Sequence, residues 1–84
     1  MKIIKITAMW CPSCLITNGI IDEVIKEKNI EVISYDFDID QIEVEKYDVG
    51  TILPVLILVD DNNNEIRRIK GEHTKKELIE FIEG

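Results

Sequence analysis

Apolar side chains fall in short runs of changing period along this chain. Residues 2–7, KIIKIT, are rich in β-branched side chains and predict a strand that buries Ile3, Ile4 and Ile6. Pro12 suits the first turn of a helix, where a missing N–H costs nothing. From Cys14 to about Lys28 the apolar residues Ile16, Ile20, Ile21, Val24 and Ile25 recur at helical spacing, with Gly19 marking a bend. IEVISYDF, residues 30–37, reads as a second strand, and residues 38–50 as a short acidic helical or turn segment ending at Gly50. PVLILV, residues 54–59, is almost continuously apolar, as a strand buried on both faces should be. DDNNN is a turn, and EIRRIK, residues 65–70, alternates like a half-exposed strand closing a hairpin. Thr74 and Glu77 form a capping-box pattern, and Leu78, Ile79, Phe81 and Ile82 give the last helix its apolar face.

The expected order is β-α-β-α-β-β-α, an α/β fold with a mixed four-stranded sheet and helices on both faces. The first two strands are parallel, joined by a right-handed helical crossover, and the last two form an antiparallel hairpin. With 84 residues and no repeat, linker or low-complexity tract, residues 1–84 are expected to be a single domain.

Composition narrows the function. Hydrophobic residues make up 45% and charged residues 32%, a globular balance. The formal net charge is -7, and Lys and Arg cluster only at Arg67-Arg68 and Lys75-Lys76, so neither nucleic acid nor an anionic membrane is an expected partner. No apolar run is long enough to cross a membrane. The amino terminus is short and interrupted by lysine, and Cys11 follows so soon that no secretory leader is expected. A cytoplasmic location is the expectation, and there a lone disulfide is not a permanent staple.

That directs attention to Cys11 and Cys14, the chain's two cysteines. Three readings are open: a redox pair, a metal clamp, or inert core residues. At a strand-to-helix junction, Cys11 meets unpaired N–H groups and the helix dipole, which favour its thiolate. Cys14 lies one turn on, with its sulfur facing back, and is expected to be the buried thiol. Two intervening residues let a small disulfide ring open and close. Structural zinc wants four ligands, and the single histidine, His73, lies far along the chain. The redox reading is therefore favoured. The rival is a metal-binding or metal-delivery module using Cys11 and Cys14.

Over nearly its full length the chain resembles the thioredoxin superfamily. WCPSC (residues 10–14) looks like the active-site motif, IIDEVI (20–25) like the core of the following helix, and Gly19 stands where the family often has a kinking proline. DIDQ (38–41) is similar to the end of the next strand, and YDVGTILPVLILV (47–59) to the segment around the family's cis-proline, here Pro54. Gly71 matches the glycine that lines the substrate groove. The first strand and helix of the superfamily have no counterpart, which matches the small glutaredoxin-like thioredoxins.

The resemblance implies a thiol–disulfide oxidoreductase with Cys11 and Cys14 as catalytic residues and no cofactor beyond their own disulfide. Trp10, Pro12, Leu53, Pro54 and Gly71 would bind substrate, with a cis bond placing the Leu53 backbone beside the cysteines for strand-like pairing. RRIKGEHT (67–74) has one glycine where glutathione-binding relatives have two, which favours a protein-disulfide reductase. Proline directly after the first cysteine is more typical of glutaredoxins and periplasmic oxidants. Implied partners are disulfide-containing proteins and a recycling reductase, with the chain itself a monomer. Lys5 and Asp36 hold positions where the family keeps a buried aspartate and a lysine, so the charges look exchanged. The implied role is a semi-buried ion pair beneath the cysteines, with Asp36 assisting proton transfer at Cys14. An exposed lysine and a strand-end aspartate remain the alternative.

Overall fold

The computed structural model describes residues 1–84, the side chain of Ser13 excepted. Among the described residues the elements run β1 (Lys2–Thr7), α1 (Pro12–Lys28), β2 (Glu31–Asp36), α2 (Gln41–Lys46), β3 (Val55–Val59), β4 (Glu65–Lys70) and α3 (Lys75–Glu83). The sheet order is β2-β1-β3-β4. β1 pairs with β2 in parallel and with β3 antiparallel, and β3 pairs antiparallel with β4. This is the expected β-α-β-α-β-β-α order in a mixed sheet.

The period-2 geometry of a strand divides the core into two layers. Ile4 and Ile6 of β1, with Val55, Ile57 and Val59 of β3, pack toward Val44 of α2. Ile3, Leu56 and Leu58 pack the other way, against Ile21 and Val24 of α1 and Leu78, Phe81 and Ile82 of α3. All five residues of β3 are buried, so its unbroken apolar run serves both layers.

Several boundaries move. α1 begins at Pro12, the first-turn position expected of it, and runs through Gly19 as one element. Ile16, expected on the inner face, is 54% exposed. The inner stripe instead follows Cys14, Thr17, Ile21 and Val24, and Ile16 lies about a third of a turn away. β3 begins at Val55, because Pro54 has no N–H to give the ladder. Within the acidic segment, Gln41–Lys46 is the helix. The preceding turn is closed by Asp36, whose Oδ1 accepts from the backbone N–H groups of Asp38 and Ile39 at 2.9 and 3.0 Å. At α3, Thr74 Oγ1 accepts from the Glu77 N–H and Glu77 Oε1 accepts from the Thr74 N–H, the reciprocal pair that the sequence pattern predicts.

Candidate active site

β1 ends at Thr7, and a tight turn carries the chain into α1. The Cys11 N–H donates to the Ala8 carbonyl at 3.2 Å, and the Cys14 N–H to the Cys11 carbonyl at 3.1 Å. Cys11 is the N-cap residue, with extended dihedrals and no side-chain capping bond of its own. Its sulfur therefore stands where the helix presents unpaired N–H groups. Pro12 takes the first helical position and is exposed.

Both cysteines are free thiols. Cys11 is 6% exposed and Cys14 1%. Burial pushes the Cys14 thiol up from 9.0 to about 11, helped by its hydrogen bond to Cys11, while the Ala8 backbone and the Lys5 charge pull the other way.

The second wall is the loop before β3. The Leu53–Pro54 peptide bond is cis, and both residues are buried. Leu53 belongs to the same apolar cluster as Cys11 and Cys14. The Pro54 carbonyl accepts from the Gly71 N–H at 2.8 Å, which ties the end of β4 to this loop. Gly71 has φ +84°, a conformation that other residues adopt at a cost, and a Cβ there would lie 3.9 Å from Ile52 Cγ2.

Trp10, immediately before Cys11, is 57% exposed. Its indole N–H donates to Asp38 Oδ2 at 2.6 Å, and its ring meets Phe37 edge-on at 6.2 Å between centroids. Met9, beside Trp10, and Ile52, beside Leu53, are also exposed. The structure thus gathers Cys11, Cys14 and Leu53 in one cluster, joins Pro54 to Gly71, and sets Trp10 and Pro12 at the edge.

The expected pairing of Lys5 with Asp36 is not what forms. The two residues share a face of the sheet, since Lys5 is opposite Ser34 and Thr7 opposite Asp36 in the parallel register. Lys5 Nζ, however, lies 4.0 Å from Asp22 Oδ1 on α1. The Asp36 carboxylate is committed to its own turn, because local backbone N–H groups reach it first.

Sequence reasoning missed Asp22 and Asp38. Asp22 had a weak signal, since it stands two turns after Cys14, about 80° around the helix from it. Asp38 had none, because only the fold brings it to Trp10. His73 lies against Glu77 and the Lys70 carbonyl, at 3.3 and 3.0 Å. Among the described residues no three His, Cys, Asp or Glu side chains group as a metal set.

A mixed four-stranded sheet with paired cysteines opening its first helix, faced by a cis-proline loop, is the thioredoxin fold, the scaffold of thiol–disulfide oxidoreductases. The Thioredoxin family profile matches residues 1–84, and the chain belongs to that family. Thioredoxin 1 of the thermophilic eubacterium Thermosipho africanus superposes with a TM-score of 0.87 at 25% identity, covering 99% of this chain and 91% of that one. Fasciola hepatica thioredoxin gives 0.82 at 26% identity, covering 98% and 79%. Thioredoxin-2 of the malaria parasite, described as a component of its protein secretion machinery, shares the fold at 0.86 and 24% identity, covering 96% and 79%. No curated protein matches the chain. Among the described residues no helix is long and apolar enough to cross a membrane. The chain is a thiol–disulfide oxidoreductase.

Proposed function

We propose that this oxidoreductase is a protein-disulfide reductase working through the Cys11-Pro12-Ser13-Cys14 pair. The observation that carries the reading is the asymmetry of the two thiols. Cys11 caps the helix at the rim, and Cys14 lies beneath it with its thiol pushed up to about 11. Cys11 as thiolate attacks one sulfur of a substrate disulfide, forming a mixed disulfide and releasing the other sulfur as a thiolate that takes up a proton. Cys14 then loses its proton and attacks the Cys11 sulfur. The Cys11–Cys14 bond forms, the bond to substrate breaks, and the substrate leaves as a second thiol. Two electrons have passed from protein to substrate.

Trp10, Pro12, Leu53, Pro54 and Gly71 form the docking rim in this reading, with the Leu53 backbone pairing an extended substrate segment. The redox-active disulfide is the only cofactor, and a reductase of the recycling kind that thioredoxins use restores the dithiol. The protein acts in the cytoplasm, as a monomer, where two cysteines serve exchange better than architecture. The single glycine at position 71 favours proteins over glutathione as substrates.

The Cys14→Ser variant tests this. It should retain attack by Cys11 and accumulate mixed disulfides with partner proteins, and Cys11→Ser should trap little. The wild type should reduce insulin. Failure of both trapping and insulin reduction, with a tightly held metal in the purified protein, would replace this reading with the metal-binding one. Equilibration with glutathione fixes the potential and hence the direction.

A further inference from the structure

A groove of about 350 Å³ opens between the turn after β2, α2 and the loop that leads to Leu53. Its base is apolar. Val44 and Val49 are buried there, and Phe37 is half-buried, all three in the cluster that holds Cys11 and Cys14. Its edge is acidic, with the exposed side chains of Asp38, Glu45 and Asp48. No lysine or arginine lines it. The groove also borders the redox site, because Phe37 and Asp38 are the two residues on which Trp10 rests.

We propose that this groove is a specificity subsite for the protein substrate, and that it takes one long basic side chain, lysine or arginine, from the segment flanking the reacting disulfide. The inference rests on the protein-disulfide reductase reading. The aliphatic stem of such a side chain lies on Phe37, Val44 and Val49, and its charged head reaches Glu45 and Asp48 at the edge, as long basic side chains do when they cover apolar surface. The bond-making steps are untouched. The subsite acts on which disulfide is presented to Cys11, through charge complementarity at the point of docking.

The carboxylates at the edge are open to a partner. Among the described residues neither Glu45 nor Asp48 has an ion pair, and Asp38 Oδ2 accepts from Trp10. The neighbouring cations are engaged elsewhere. Lys46 Nζ lies 3.4 Å from Glu43 Oε2. Arg68 is paired with Glu65 and donates to the Tyr47 carbonyl at 2.6 Å, with Asp48 adding a weaker attraction. A metal ion is a poor occupant, since no three ligating side chains group there among the described residues. An acidic side chain would meet three like charges, and a purely apolar one would leave the edge unmatched. A cation on an aliphatic stem satisfies both parts.

The test is a set of otherwise identical disulfide-closed peptides, with arginine, glutamine, glutamate or 2,3-diaminopropionate at each flanking position in turn. Second-order rates of reduction by the reduced protein are compared. At a favoured position arginine should react roughly three- to tenfold faster than glutamine, with glutamate slower, and the advantage should shrink as salt rises. Diaminopropionate carries a charge without the stem and should match glutamine. Glu45→Gln with Asp48→Asn should abolish the arginine advantage and leave the glutamine peptide unchanged. Asp48 has φ +50°, which asparagine also tolerates, so the variant keeps the backbone. Glu31→Gln with Glu80→Gln changes the net charge equally on exposed positions of β2 and α3 and should keep the advantage. Equal loss in the two double variants would mean that overall charge, and not the groove, selects substrates, and overturns the proposal. Reduction of every peptide at one rate defeats the subsite alone. Reduction of no peptide at all defeats the reductase reading and the subsite with it.

Discussion

The indole N–H of Trp10 donates to Asp38 Oδ2 across 2.6 Å, joining residues 28 positions apart in the sequence. The bond latches the turn before α1 to the turn before α2. It holds the large ring edge-on against Phe37. Asp38→Ala should free the ring. The chain has one tryptophan, so its emission reads this directly. Anisotropy should fall and the spectrum shift. The stability cost should be about 1 kcal/mol, because the bond is charge-assisted but exposed. Unchanged anisotropy would mean that packing on Phe37 suffices.

Gly71 provides a second test. Its φ of +84° and its N–H bond to the Pro54 carbonyl fix the mouth of the groove from the β4 side. The space there admits a methyl group. Gly71→Ala should therefore cost about 1–2 kcal/mol through backbone conformation and not through collision. Insulin reduction should slow as the Pro54 loop loses its tie. Denaturant unfolding and turnover, measured side by side, check both effects.

Cys14 makes stability depend on pH in one redox state. Its thiol stands near 11 in the folded protein against an ordinary 9.0. Folding thus favours the protonated form. The contribution is complete below about pH 9 and is lost as pH rises through about 11, and its size is roughly 2–3 kcal/mol. The reduced protein should weaken over that window. The oxidised protein, which has no thiol to titrate, should not show this loss. Unfolding midpoints of the two forms in alkaline buffer provide the comparison.

Alkylation should distinguish the thiols. A limiting amount of iodoacetamide near neutral pH should label Cys11 first, because Cys11 is the more exposed and faces the helix amino terminus, while Cys14 is buried and holds its proton. Peptide mass analysis reads the order, and faster labelling of Cys14 would reverse the two roles.

At the far end of the chain, Thr74→Ala removes one half of the reciprocal cap on α3. About 1 kcal/mol of stability should be lost. Reduction kinetics should not change, since α3 packs on the sheet layer opposite Val44, Val49 and Leu53. A denaturation curve together with an insulin assay separates the two effects.

Local signals carried much of the fold. β3 was legible because an apolar run without polar breaks has few homes other than a doubly covered strand. The α3 cap was legible because both halves of the exchange lie within four residues. The cysteines were legible because their spacing and the preceding strand are local too. What escaped depends on contacts between distant segments. Ile16 has the right chemistry for a core position but the wrong angle around α1, and only the position of Cys14 settles that angle. The choice of Asp22 over Asp36 for Lys5 turns on competition. Asp36 sits beside two backbone N–H groups that capture it, and sequence alone does not rank a turn against an ion pair.

The tie between the Cys14 N–H and the Cys11 carbonyl has a consequence for what the disulfide is worth to the chain. The two sulfurs belong to one helical turn, so linking them closes a loop of four residues. A cross-link that short removes little freedom from an unfolded chain, about 2 kcal/mol where a long loop would remove twice that or more. Opening and closing the bond therefore disturbs the folding equilibrium little. The protein can hand over its two electrons repeatedly without coming near to unfolding, and its sulfur–sulfur bond serves as a charge to be spent in transit and not as a rivet.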